Sequence, residues 1–129
     1  MENRQLLRLS KRERQIMDII YMLGEATAAD VLENLGEDVG DASIRKLIRI
    51  VEKKGYLKHR REGHSYVYMP VVPREEASVQ ALRHMLKTFF DGSAPKAVSA
   101  LLDITGGDLS EEDIDEISAL IREAEERER

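Results

Sequence analysis

The 129-residue sequence contains no cysteine and no tryptophan, with only two phenylalanines, four tyrosines and three prolines. The missing cysteines exclude disulfides, thiolate metal sites and thiol nucleophiles. Aromatics make up 5% against an apolar content of 42%. A core must therefore be assembled from Leu, Ile, Val and Ala, which favours helices, and few prolines and glycines leave little room for irregular loops. No apolar run approaches the roughly 18 residues needed to cross a bilayer. The opening Met-Glu-Asn-Arg-Gln-Leu-Leu-Arg stretch lacks the apolar segment of a secretory signal. A cytoplasmic protein without a membrane partner is expected, as one domain or a small domain with an appendage.

A strongly basic balance is also lacking, since the net charge is −5. The average conceals a segregation. Residues 1–70 carry 13 Lys/Arg against 11 Asp/Glu, whereas residues 71–129 carry 7 against 14. The excess concentrates between Ala42 and Met69, where eight cations face only Glu52 and Glu62. Local potential decides whether a surface attracts phosphate, so this segment is a candidate nucleic-acid contact despite the acidic total.

Ser10-Lys11-Arg12-Glu13 reads as a capping box opening a first helix, with Ile16, Ile19, Ile20 and Leu23 inward and Gly24 as the stop. Thr27 caps a short second helix with Val31, Leu32 and Leu35 inward, ended by Gly36. After a polar loop from Glu37 to Asp41, a third helix begins at Asp41 or Ser43. Ile44, Leu47, Ile48 and Val51 form its apolar face, which leaves Ser43, Arg45, Lys46 and Arg49 on the opposite one; Gly55 ends it. The period then changes to that of strands. Tyr56–Arg61 and His64–Met69 predict a hairpin turning at Glu62-Gly63, and Pro70 and Pro73 close the segment.

Three helices and a hairpin, with a cationic face on the third helix, predict a winged helix-turn-helix. A helix packed by one face can offer the other to base edges in the major groove. Ser43, Arg45, Lys46, Arg49 and Lys53 are the expected contacts from that helix. Lys58, Arg60 and Arg61 of the hairpin, the wing, would neutralise flanking phosphates. Arg4, Arg8, Lys11 and Arg12 add an N-terminal electrostatic arm. The expected partner is a double-stranded DNA operator.

Other constellations have plainer readings. His59 and His64 lack a third ligand nearby and read as surface histidines, so no metal site is expected. The acids from Glu111 to Glu116 suit a helix N-terminus. Tyr66 and Tyr68 share one strand face and are expected to pack against the body. Ser10 has no base spaced to activate it. No catalytic residues and no cofactor are expected, and the protein is not read as an enzyme.

Beyond Pro73 the sequence predicts a long helix with Val79, Leu82, Met85, Leu86 and Phe89 on one face, broken at Gly92. A short helix opened by Pro95 follows, then a flexible break at Thr105–Asp108. A last helix, capped by Ser110, carries Ile114, Ile117, Leu120 and Ile121. Such faces are too wide to stay exposed on a small chain. Pairing with a second copy is therefore expected, through Val79, Leu82, Leu86, Phe89, Ile114, Ile117, Leu120 and Ile121. The fold class is mainly α with a small β-hairpin: a winged-helix DNA-binding domain at 1–72 and a helical dimerisation region at 73–129. A homodimer places two reading helices on one pseudo-palindromic site. Two alternatives stand beside it, a ligand-responsive regulator of the MarR type and a winged-helix module for protein–protein interaction.

The order and wording of these segments resemble the BlaI/MecI family of penicillinase repressors. The residues that carry the likeness are Leu9-Ser10 with Ile16–Tyr21, Thr27–Val31, Ser43–Ile48, Lys53–Leu57 and Tyr66-Val67-Tyr68. It continues through Phe89–Ser93 and Ser110–Ile121. The resemblance implies a homodimeric repressor that occludes promoters and is relieved by an upstream signal, with a regulatory protease or sensor as a further partner. Penicillinase repressors are cut at an Asn-Phe bond, where this chain has Leu101-Leu102, so the same protease is not expected to act. Copper-responsive relatives use a terminal Cys-x-Cys cluster, which a cysteine-free chain cannot supply.

Overall fold

The computed structural model describes residues 8–36 and 39–129. Its elements are α1 (Lys11–Leu23), α2 (Ala28–Leu35), α3 (Asp41–Lys53), β1 (Leu57–Glu62), β2 (Ser65–Pro70), α4 (Arg74–Phe89), α5 (Ala94–Thr105) and α6 (Glu111–Arg127). The chain divides into two compact units, one ending at His84 and the other beginning at Met85, so the division falls within α4. Arg4 and part of the loop after α2 lie outside the described residues.

The first unit is built on branched aliphatics. Ile16, Ile20, Val31, Ile44, Ile48 and Val51 are completely buried, and Leu9, Met17, Ile19, Ala26, Ala28, Tyr56, Leu57 and Tyr68 close around them. Leu23, expected inward, stays 45% exposed. It is the last residue of α1, and a terminal turn has neighbours on one side only. Met17, outside the expected stripe, is buried as well.

Both early helices begin with reciprocal caps, which satisfy backbone N–H groups that have no partner inside the helix. The Ser10 hydroxyl accepts from the Glu13 N–H at 3.2 Å, while the Ser10 N–H donates to Glu13 Oε1 at 2.8 Å. Thr27 and Asp30 repeat the arrangement at 3.1 and 3.0 Å. Glu13 does more than cap. Its carboxylate is buried, 3% exposed, and Lys54 just beyond α3 donates to both oxygens at 2.8 and 3.2 Å. Burial alone would push the Glu13 carboxyl up; the bonds from Lys54 and the Ser10 backbone outweigh it and hold the group below its ordinary value.

A carboxyl depressed in the folded state stabilises above its unfolded pKa, and that contribution is lost as pH falls through the folded value. Glu13→Ala is therefore expected to cost about 2 kcal/mol near neutrality through the lost cap and charged hydrogen bond. The difference from the parent protein should shrink below the ordinary carboxylate range of 4.5. Urea midpoints measured against pH check this, and a gap that persists at acid pH would contradict it.

The hairpin is antiparallel, with Leu57 opposite Pro70 and Glu62 opposite Ser65. Its two-residue turn is Gly63-His64, one position later than the alternation suggested. Gly63 has φ +62° and His64 is not in the left-handed region. Positive φ at the first central residue alone is the pattern of a II′ turn, which wants glycine there. Ala26 pairs with Tyr68 on the other edge of β2 through bonds of 2.9 and 2.8 Å, tying the α1–α2 connection to the hairpin.

In the second unit, Asp91 (φ 54°) and Gly92 (φ 73°) take the left-handed backbone that ends α4. Ser93 caps α5 by accepting from the Lys96 N–H at 3.2 Å, and Ser110 with Asp113 caps α6 reciprocally. Neither α5 nor α6 has a single buried residue.

Candidate nucleic-acid interface

Helix α3 has two chemically distinct sides. Ile44, Ile48 and Val51 lock one side into the core, with Leu47 half-buried beside them. The helical period then forces Ser43, Arg45, Lys46 and Arg49 outward, and Lys53 is exposed at the C-terminal end. Arg45 is held by Asp41 one turn earlier at 2.9 Å. Lys46, Arg49 and Lys53 have no ion partner among the described residues. The helix starts without a side-chain cap, at Gly40.

The hairpin register separates cations that look alike in sequence. Residues directly opposite on an antiparallel pair share a face. Lys58, Arg60 and Glu62 therefore lie with Met69, Val67 and Ser65, whereas His59 and Arg61 lie with Tyr68 and Tyr66. Arg60 is enclosed by carboxylates. Its Nη1 and Nη2 donate to Glu25 at 3.0 and 2.6 Å, and its Nε donates to Glu62 at 2.9 Å. The Arg60 hydrogen bond holds the Glu25 carboxyl below its ordinary value. Arg61 instead donates to the Gly63 carbonyl at 3.1 Å.

The second hairpin face turns toward α3. His59 Nδ1 is hydrogen-bonded to the Glu52 carboxylate of α3. Burial pushes the Tyr68 hydroxyl up, the Glu52 charge adds to that, and Arg49 and Arg45 pull it the other way. Tyr68 is buried as expected, but Tyr66 is 50% exposed, against the expectation that both pack inward. The sheet is too short for β2 to keep a core beneath its turn end.

Arg12 sits half-buried in the first turn of α1. Lys54, counted in the basic segment, is taken up by Glu13 and is not a free cation. Sequence reading missed these acidic partners (Glu13, Glu25, Glu52) because each meets its cation across a gap in the chain that only the fold closes. No cluster of three metal-ligating residues occurs among the described residues. Nor is any helix among them long and apolar enough to cross a membrane.

In the C-terminal helices the expected pairing residues are largely uncovered. Val79, Leu82, Phe89, Ile114, Leu120 and Ile121 are exposed, Phe89 at 73%, while Leu86 and Ile117 are half-buried. Ile104, not singled out in the sequence, is the most open at 78%.

Three packed helices with a hairpin at their side and a cationic outer face on the third define a winged helix-turn-helix, an architecture that reads DNA by its third helix. Comparison with known proteins agrees. A family profile described as penicillinase repressor matches residues 9–123, and the chain belongs to that family of DNA-binding repressors. An uncharacterised 16.5 kDa protein of Latilactobacillus sakei is 30% identical over 115 residues, covering 88% of this chain and 77% of the relative. The penicillinase repressor of Bacillus licheniformis is 24% identical over 121 residues, 92% of this chain and 93% of its own. The solution structure of the DNA-binding domain of the repressor BlaI is 24% identical, covering 54% of this chain and 87% of its own, with a TM-score of 0.48.

Proposed function

We propose that this chain is a cytoplasmic, sequence-specific repressor that binds a pseudo-palindromic operator as a homodimer. Residues 1–72 do the reading and residues 73–129 the pairing. The observation that carries the reading is the outer face of α3, where Lys46, Arg49 and Lys53 stand exposed and unpaired among the described residues while Ile44, Ile48 and Val51 anchor the helix from behind. Such a helix enters a major groove without unfolding anything.

Arg45, Lys46 and Arg49 reach base edges or phosphates, and Ser43 near the helix start allows close approach. Lys53, Lys58 and Arg61 neutralise flanking phosphates, and Arg12 adds a weaker contact. Arg60 can join them only by exchanging Glu25 and Glu62 for a phosphate. The pairing surface is the uncovered apolar side of α4 and α6, whose acidic surroundings repel DNA and leave the duplex to the first unit. Contiguous exposed apolar patches mark interaction sites.

The test is enrichment of genomic fragments by the purified protein at near-physiological salt. A few promoter fragments sharing an inverted repeat are the expected result, and no enrichment over bulk DNA would overturn the reading. On a fragment so obtained, Arg49→Ala is expected to cost roughly 1–3 kcal/mol and relax preference at one base pair. An equal loss on every duplex would reassign Arg49 to phosphate.

A further inference from the structure

The wing carries an exposed aromatic that neither the core nor the cationic set accounts for. Tyr66 lies opposite Arg61 near the turn end of the hairpin, half exposed. Its face of the hairpin is the one that continues from α3. His59 on that face is bonded to Glu52 of α3, and its ring lies 5.6 Å from that of Tyr68. This side of the hairpin thus joins α3 at Glu52, through His59, to Tyr66 and Arg61.

The Tyr66 ring is braced rather than loose. Its centroid is 4.5 Å from that of His59 with the planes tilted by 51°, and 6.5 Å from Tyr68 in an edge-on arrangement. His59 is itself held by α3, so the ring position follows the recognition helix. With its inner side occupied, the ring cannot be sandwiched between two bases. What remains is its exposed half, on the hairpin face it shares with Arg61. Phosphate contacts, from Tyr as well as from Arg and Lys, set register on the duplex without reading sequence.

We propose that Tyr66 is a DNA-backbone contact of the wing, its hydroxyl donating to a phosphate oxygen and its ring edge lying against the adjoining sugar. This rests on the DNA-binding reading above, and the experiment separates the two. Tyr66→Phe and Tyr66→Ala are compared with the parent protein and with Arg61→Ala. The probes are a mixed-sequence duplex of about two helical turns, ~21 bp, and the fragment the parent protein enriches, each titrated over a series of salt concentrations. Because Tyr66 is half exposed, both variants keep the fold, which far-ultraviolet dichroism verifies.

Tyr66→Phe is expected to weaken binding to both probes by roughly fivefold per wing, the effect of one lost hydrogen bond, and Tyr66→Ala by more. The slope of log affinity against log salt stays unchanged for both, because a neutral group releases no counterion, whereas Arg61→Ala flattens it by about one unit. Tyr66→Phe binding like the parent protein overturns the inference, and so does a loss confined to the enriched fragment, which would mark a base contact. If the parent protein binds neither probe, the repressor reading itself has failed.

Discussion

Leu120→Asp is expected to yield a monomer and to lower operator affinity by about 10²–10⁴-fold, the factor a linked second site supplies through effective concentration. Leu120 is 57% exposed on α6, with Ile121 beside it at 56% and Ile114 at 50%. An isolated helix with such a stripe gains nothing from leaving it in water; at about 25 cal/mol per Å² of apolar surface buried, pairing is strongly favoured. A carboxylate at the centre of the stripe would have to be desolvated without a partner, which costs more than the apolar contact returns. The reading helix is untouched, so affinity for a single half-site should stay near that of the parent protein. Sedimentation equilibrium with titrations on one and two half-sites checks both parts. A variant that remains dimeric would move the pairing surface to another element, such as α5 around Ile104.

Ile48→Ala is the substitution expected to cost most in stability. Ile48 is completely buried, at the centre of the apolar side of α3, between Ile44 and Val51. Truncation of such a residue loses transfer free energy and leaves a cavity, typically 2–5 kcal/mol for aliphatic to Ala. Domains are stable by only about 5–15 kcal/mol, so a first unit this small would be left marginal or unfolded. The effect on DNA binding follows from packing, since the inner side of α3 is what aims Arg45, Lys46 and Arg49 outward. Ile48→Val retains most of the volume and is expected to cost only 0.5–1.5 kcal/mol. Thermal or urea unfolding of the two variants measures the difference. Comparable losses for Val and Ala would mean that the site collapses around the smaller side chain.

Much of the first unit was legible in one dimension. The caps at Ser10 and Thr27, the stops at Gly24 and Gly36 and the buried side of α3 are local features, governed by hydrogen bonds three residues apart or by the helical period. The hairpin was legible apart from its turn, where alternation fixes faces but the sign of φ at Gly63 selects the turn residues. Leu23 matched the stripe and is nevertheless exposed, because a periodic pattern does not say where the packed neighbours end.

The candidate site was legible by residue type and much less by availability. Composition alone places a cationic run between Ala42 and Met69, and helical spacing alone puts Arg45, Lys46 and Arg49 on one side. Spacing cannot show that Lys54 turns back to Glu13, that Arg60 is enclosed by Glu25 and Glu62, or that His59 joins the wing to Glu52. It equally cannot separate Tyr66 from Tyr68, which are two residues apart on the same strand face with opposite burial. The sequence by itself determined which elements form and which side of each is apolar, because those depend on interactions a few residues long. Only the tertiary structure decided which charges remain free and which aromatic faces outward, because electrostatic pairing and exposure depend on distance in space, across separations of 35 and 41 residues here.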